Sequence, residues 1–136
     1  MTSALEAFEA MRDGWLGGTA AFDDLLAEDA VIETPFAPRG YRSRFDNKAD
    51  FVAFADRTRG ELPFRFEECR NVTVHETTDP EKIVVEYELA GTVLPTGQPA
   101  SAAFIGVLHV RDGRIVLWRE YQNTLAITEI LGALPS

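Results

Sequence analysis

Four long runs of β-branched and aromatic residues fill the second half of the chain, and they constrain the fold more than any other feature. They cover residues 64–77, 82–94, 100–111 and 114–123. Turn-forming residues separate them: Asp79-Pro80, Pro95-Thr96-Gly97 and Asp112-Gly113. Such runs are typical of strands, and Asp-Gly is a strong signal for a short hairpin. The second half is therefore predicted to be an antiparallel meander.

The first half has helical periodicity instead. Its first segment spaces apolar residues by three, three and four positions before Gly17-Gly18, which predicts a helix; these residues are Leu5, Phe8, Met11 and Trp15. A shorter helix is predicted over residues 19–26, and a third over 47–60 with Asp46 as its N-cap. A brief strand at 30–34 precedes Pro35, and a last helical turn or two covers residues 125–131.

Helices followed by a run of strands predict an α+β fold, with the helices on one face of a curved sheet. The chain has 136 residues, which suits one domain over residues 1–136, because a second core would lack material.

The third strand of the meander is apolar on both of its faces. Phe104, Leu108 and Val110 share one face, whereas Ala103, Ile105 and Val107 share the other. Since the helices can cover only one face of the sheet, we expect the outer face to meet a second subunit in a homodimer. The alternative is a central strand with a few exposed apolar side chains.

Acidic residues outnumber basic ones by 22 to 13, which gives a formal net charge of −9 at pH 7. This charge repels phosphate backbones and anionic lipids, so we predict no nucleic-acid or membrane partner and favour a neutral or cationic small molecule.

Cys69 is the only cysteine, which excludes an intramolecular disulfide and fits a reducing compartment. No run approaches the ~20 apolar residues of a membrane span, and charged residues interrupt the N-terminal segment. A cytoplasmic location is the expectation.

No motif for a metal or an organic cofactor stands out in the sequence. His75 and His109 lack partners at metal-ligand spacing, and neither a Gly-x-Ser-x-Gly motif nor a glycine-rich phosphate loop occurs. Any chemistry is therefore predicted to need no metal and no cofactor.

Three stretches resemble motifs of one known superfamily, and they occur in its order. Residues 25–33, LLAEDAVIE, resemble the segment that leads into its first strand, and residues 35–40, PFAPRG, resemble the loop that follows. Residues 107–123 resemble its closing hairpin, with Asp112-Gly113 at the turn and Trp118-Arg119-Glu120-Tyr121 after it. With this order of helices and strands, nearly the whole chain resembles the SnoaL-like (polyketide-cyclase-like) branch of the nuclear-transport-factor-like superfamily.

This resemblance implies a cone: a curved antiparallel sheet with three helices of the N-terminal half on its concave face. In related cyclases and epoxide hydrolases, an acid at the position of Glu120 lies in the pocket as a proton donor or acceptor. Strand alternation places Trp118, Glu120 and Gln122 on one face, but it does not tell which face lines the pocket. Burial would raise the pKa of a pocket carboxylate, which suits proton transfer near neutral pH. The alternative for Glu120 is an ion pair with a neighbouring arginine.

Two further acids are candidates for catalysis. Glu86 and Glu88 lie two positions apart on one strand and so share a face, where the related epoxide hydrolases carry Arg-x-Asp. The arginine is missing here, which makes epoxide hydrolysis less favoured. Several carboxylates around one cavity would instead share protons. The alternative for Glu86 and Glu88 is a solvated sheet face.

The predicted ligand-binding residues combine aromatic side chains with polar ones at the cavity and its mouth. Arg42 belongs to a loop with three arginines in six residues, which could clamp an anionic group, although such loops are more often simply solvated. The full set is Trp15, Phe36, Tyr41, Arg42, Phe54, Phe104, Trp118 and Gln122.

The resemblance favours a protein that binds a small hydrophobic or polycyclic molecule and catalyses acid–base chemistry on it, such as cyclisation or isomerisation, with Glu120 as the proton carrier. Because the superfamily scaffold also carries pure binding modules, a non-catalytic ligand-binding or dimerisation module is the alternative.

Overall fold

The computed structural model describes residues 2–17, 24–58 and 64–132. The described elements comprise three helices and six strands. In chain order they are α1 (Ala4–Gly17), β1 (Leu26–Glu33), β2 (Arg44–Phe45), α2 (Lys48–Thr58), β3 (Phe64–Glu76), β4 (Lys82–Val93), β5 (Gln98–Arg111), β6 (Arg114–Gln122) and α3 (Thr124–Gly132).

The strands form one curved sheet in the order β2-β1-β6-β5-β4-β3. The predicted meander is confirmed, because β3 to β6 pair antiparallel in sequence order. The α+β fold class is confirmed as well. One junction differs from the antiparallel prediction: β1 pairs parallel with β6, Ile32 lying opposite Trp118. No hairpin turn joins these two strands, so local sequence does not set their relative direction.

Helix α1 begins with a capping box. The backbone N–H of Glu6 donates to Ser3 Oγ at 3.1 Å, and the Ser3 N–H donates to Glu6 Oε1 at 3.1 Å. These reciprocal bonds satisfy two amide groups that the first helical turn leaves without partners. The predicted first helix is thus confirmed, and its apolar side chains Phe8 and Met11 are buried.

Helix α2 confirms the predicted helix over residues 47–60 as far as Thr58, since residues 59–63 lie outside the described part. Its cap is Asn47, not Asp46: the Asp50 N–H donates to Asn47 Oδ1 at 2.8 Å. Asp46 instead pairs with Arg44 Nε at 2.6 Å.

The predicted C-terminal helical turns correspond to α3. Most of the helix predicted over residues 19–26 falls outside the described residues, and its last residue, Leu26, begins β1.

Helix α1 packs on one face of the sheet, which we call the inner face; the opposite face is the outer face. Alternation in β4 separates the two, since Ile83, Val85, Tyr87 and Leu89 are buried and the residues between them are not. In β6 a bulge after Ile115 shifts the register against β5, so Ile115 and Trp118 both reach the inner core. Beyond that bulge, Trp118, Glu120 and Gln122 alternate regularly on the inner face.

None of the helices in the described part of the chain is long and apolar enough to cross a bilayer.

Candidate functional site

A hydrogen bond between Tyr87 and Glu120 forms the centre of the candidate site. Tyr87 lies on β4 and Glu120 on β6, and the intervening strand β5 places Gly106 opposite Glu120. The Tyr87 hydroxyl passes over Gly106 and donates to Glu120 Oε2. A Cβ atom at Gly106 would already stand 3.4 Å from the Tyr87 ring. The Tyr87 side chain thus crosses β5 directly above Gly106, at ordinary contact distance from where a Cβ atom would stand.

The environment of Glu120 changes its acidity. Burial raises the pKa of the Glu120 carboxyl above its ordinary value of 4.5, and hydrogen bonds from Tyr87 and Gln122 oppose this rise only in part. The side chain nevertheless keeps some exposed surface. Burial, together with the neighbouring Glu120 charge, holds the pKa of the Tyr87 hydroxyl well above its ordinary value. Tyr87 is thus a neutral donor, and the Glu120 carboxyl holds its proton more tightly than an exposed carboxyl does.

Aromatic rings surround this pair on the inner face. The Trp15 ring stacks on Tyr87 at a centroid distance of 5.6 Å, and Phe104 stacks on its ring at 5.5 Å. Trp118 lies 5.9 Å from Trp15. The structure therefore brings together four predicted ligand-binding residues, Trp15, Phe104, Trp118 and Gln122. We call these four residues, with Tyr87 and Glu120, the Glu120 site.

Phe54 lies one layer further along the inner face. Its ring packs on Phe45 at 5.0 Å, Phe45 packs on Phe51 at 5.4 Å, and Phe51 packs on Trp118 at 6.1 Å. The predicted ligand contact of Phe54 is thus separated from Trp118 by two other rings. In this structure Phe54 belongs to a ring cluster that reaches the Glu120 site through Phe51 and Trp118.

Glu86 and Glu88 are not part of the Glu120 site, so the prediction that they share a cavity with Glu120 is wrong. They flank Tyr87 in β4, and strand alternation turns both to the outer face. There Glu86 meets His75 at 2.6 Å, and Glu88 accepts a hydrogen bond from Arg70 Nε. Their role in this structure is to form ion pairs across β3 and β4.

Three predicted ligand-binding residues lie in the loop between β1 and β2. The Phe36 ring packs on Tyr121, which faces the outer side of β6, so Phe36 lies on the opposite side of the sheet from Glu120. Tyr41 is exposed. Arg42 donates from Nε to the Arg44 carbonyl at 2.9 Å, and its guanidinium lies 4.2 Å above the Phe45 ring. The structure does not join these three residues to the Glu120 site, and an anion clamp at Arg42 stays a prediction.

The family model of the SnoaL-like domain matches residues 4–118. The chain is a member of the SnoaL-like family. This finding confirms the resemblance that its motifs carry. The SnoaL-like protein is also 31% identical over 112 residues to the uncharacterized protein YesE of Bacillus subtilis, covering 82% of this chain and 75% of YesE.

Solved structures share the fold of this SnoaL-like protein. A Bacillus subtilis protein provisionally named an isomerase superposes with a TM-score of 0.84 at 29% identity, covering 96% of this chain and 94% of that one. A Pseudomonas putida protein provisionally named a polyketide cyclase gives a TM-score of 0.73 at 22% identity, covering 95% and 98%. Both likenesses match the α+β cone expected from the sequence.

Across residues 2–17, 24–58 and 64–132 of the SnoaL-like protein, no group of three His, Cys, Asp or Glu side chains could hold a metal ion. The two histidines instead lie beside acids, His75 at 2.6 Å from Glu86 and His109 at 3.7 Å from Asp79.

Sequence reasoning missed Tyr87 and Gly106. The signal for Tyr87 was present, because Glu86-Tyr87-Glu88 alternates and an apolar inner face favours the aromatic residue over the two acids. Gly106 interrupts an apolar strand, which often marks a close approach by another group. Neither signal identifies which side chain makes that approach.

Proposed function

We propose that this SnoaL-like protein binds a small, largely apolar, ring-containing molecule at the Glu120 site and moves a proton on it with Glu120. One observation carries the proposal: a carboxyl group of raised pKa is held by a tyrosine hydroxyl among stacked aromatic rings. Aromatic walls bind flat apolar molecules, and a few polar groups orient them. The Bacillus subtilis neighbour provisionally named an isomerase agrees with this reaction class.

The proposed chemistry uses Glu120 as the acid–base group. The ionised carboxylate accepts a proton from a C–H bond next to a carbonyl group, and the electron pair of that bond forms an enolate. Protonated Glu120 then returns the proton to another carbon of the same molecule. The double bond moves, no atom is gained or lost, and no cofactor is consumed. In a cyclisation, the enolate carbon attacks a second carbonyl and Glu120 protonates the resulting alkoxide.

Tyr87 has a positioning role in this proposal. Its hydroxyl donates to one Glu120 oxygen, which fixes the orientation of the carboxyl group. Burial above all raises the pKa of the Tyr87 hydroxyl well above its ordinary value. The hydroxyl therefore stays neutral and does not compete with Glu120 for protons. Gln122 adds a second hydrogen bond to the same carboxyl.

Hydrogen exchange into a model ketone tests the proposal. The bicyclic ketone 2-tetralone would be incubated with protein in D₂O, and deuterium incorporation would be followed by mass spectrometry. We expect exchange above the buffer rate, with Glu120→Gln reduced about 100-fold, since general acid–base groups contribute ~10²–10⁴-fold. Glu88→Gln is the matched control, because it makes the same change on the outer face and should exchange like wild type.

The alternative is a non-catalytic ligand-binding module. Native mass spectrometry of the purified protein would reveal a molecule carried through purification. A bound molecule, with 2-tetralone exchanging no faster than in buffer, favours the module over the enzyme. Equal exchange by wild type and Glu120→Gln contradicts the role of Glu120 directly.

We also propose that the outer face joins two copies of the chain. Ala103, Ile105 and Val107 form an apolar stripe along the outer face of β5, with Ile105 43% exposed at its centre. The charged residues beside this stripe pair with one another: Arg70 with Glu88, His75 with Glu86, and Arg44 and Arg119 with Glu33. The outer face therefore carries little net charge although the chain carries −9. Like-charge repulsion is weakest there, which favours contact between two copies on this face.

A further inference from the structure

The carboxyl group of Glu120 has no basic partner among the described residues. Its described hydrogen-bond partners are Tyr87 and Gln122, both uncharged. Glu33 and Glu88 show the contrast: Glu33 is 19% exposed and meets Arg44 and Arg119, and Glu88 is 26% exposed and meets Arg70. The sheet thus pairs two partly buried carboxylates with arginine on its outer face, whereas no described residue places a cation beside Glu120 on its inner face.

A carboxylate that loses water needs either a proton or a cation, because an uncompensated buried charge is expensive. The surroundings of Glu120 favour a cation of a particular kind. The faces of aromatic rings attract positive charge, most strongly those of tryptophan, and Trp15, Trp118 and Phe104 share the site with Tyr87. The chain's −9 charge also concentrates cations near the protein.

We propose that the ligand of the Glu120 site is an organic cation, a protonated amine or iminium ion, whose charged nitrogen faces Glu120 and the surrounding tryptophan rings. This inference rests on the proposed function and names its substrate class. The charged nitrogen of the ligand balances the negative charge of Glu120, which no described basic side chain balances. An anionic ligand is disfavoured, because it would meet the ionised form of Glu120 with no basic side chain from the described residues beside it.

An iminium ion, the second of these cations, also suits the proton transfer. A C–H bond next to an iminium carbon is more acidic than one next to a neutral carbonyl. Glu120 removes that proton, the C–H electron pair forms a carbon–carbon double bond, and the electrons of the C=N bond return to nitrogen, which loses its charge. The product is a neutral enamine beside a protonated Glu120, so atoms and charge balance without a co-reactant.

A matched pair of bicyclic probes tests the inference. N-methylisoquinolinium carries a fixed positive charge, whereas 2-methylnaphthalene has the same shape and no charge. Binding would be measured by equilibrium dialysis. We expect the cation to bind about tenfold more tightly than the neutral probe, and Glu120→Gln to remove that advantage, since a tenfold change corresponds to ~1.4 kcal/mol.

Two controls keep the outcome clear. Binding of the neutral probe to Glu120→Gln shows that the aromatic walls remain intact in the variant. Glu9→Gln, an exposed position on α1, removes one negative charge away from the site and should keep the preference for the cation. Equal affinities of the two probes for wild type, or an unchanged preference in Glu120→Gln, would overturn the inference. If 2-tetralone still exchanges through Glu120 in that case, the proposed proton transfer stands and only the substrate class is wrong.

Discussion

Tyr87 and Glu120 are joined by a hydrogen bond although a whole strand separates the two strands that carry them. The bond crosses β5 where Gly106 has no side chain. The next residue along β4, Glu88, points to the opposite face and pairs with Arg70. Tyr87 and Glu88 are thus adjacent in β4, yet Tyr87 belongs to the candidate site on the inner face and Glu88 to an ion pair on the outer face.

Replacing Tyr87 by phenylalanine removes the hydroxyl and keeps the ring. We expect the pKa of the Glu120 carboxyl to rise further, because one of the hydrogen bonds that lower it is lost. The lower limb of the pH profile of 2-tetralone exchange should therefore move to higher pH. The free energy of unfolding should fall by ~1–2 kcal/mol, as for the loss of one partly buried hydrogen bond. A pH profile identical to that of wild type would contradict the positioning role.

Glu120 should also make stability depend on pH. Burial raises its pKa in the folded state above the ordinary 4.5, so the folded protein holds this proton at pH values where the unfolded chain has lost it. The stabilisation from this group is complete below pH 4.5 and is lost as the pH rises through the folded-state pKa. Glu120→Gln removes this dependence. Urea unfolding of both proteins at several pH values should show the variant gaining stability relative to wild type as the pH rises, and a constant difference would contradict the prediction.

Two glycines in the sheet should respond differently to alanine. A Cβ atom at Gly91 would stand 1.9 Å from the Arg65 carbonyl oxygen, where β3 bulges, so the backbone must move. We expect Gly91→Ala to destabilise the protein by ~3 kcal/mol or more. Gly106→Ala is the matched control, because its Cβ would make an ordinary 3.4 Å contact with Tyr87. Urea unfolding measures both changes, and equal losses would contradict the role of the bulge.

The proposed dimer should break when a charge enters its apolar stripe. Ile105→Asp places a carboxylate opposite Glu86, and two copies would bring several such charges together. Sedimentation velocity at micromolar concentration should show a monomer for this variant and a dimer for wild type. Leu94→Asp, an exposed apolar position beyond the end of β4, is the control and should leave the dimer intact.

Salt provides a second measurement on the same dimer. The charges on the outer face pair within one chain, so the main electrostatic effect between copies is repulsion of their net charges. Because salt screens that repulsion, dimerisation should strengthen as salt is added. A wild-type monomer at micromolar concentration would rule out the dimer.

The sequence predicted the local parts of the fold well. Hairpin turns such as Asp112-Gly113 join neighbours in the chain, so turn chemistry and alternation predict the order of β3 to β6. The parallel pairing of Ile32 with Trp118 was missed because no local signal records it. Asn47 and Asp46 are both good N-caps, and only the backbone geometry at that turn decides between them.

The candidate site was predicted less completely. Alternation correctly grouped Trp118, Glu120 and Gln122, but it assigns residues to a shared face without saying which face is inside. The resemblance to epoxide hydrolases groups Glu86 and Glu88 with Glu120, and it does not say which face of β4 these two residues occupy. The contact of Tyr87 with Glu120 depends on the lateral order of three strands, which places both side chains above Gly106. That information lies in tertiary structure.

The parallel junction of β1 and β6 has a consequence for how the protein folds. Glu33 and Arg119, which meet across it at 3.4 Å, are 86 residues apart in the chain. We expect this junction to form late, because the hairpins from β3 to β6 close much shorter loops. Until β1 docks, the strand that carries Glu120 has a free edge with unpaired backbone groups. Species that lack the junction are therefore the ones most exposed to edge-to-edge aggregation.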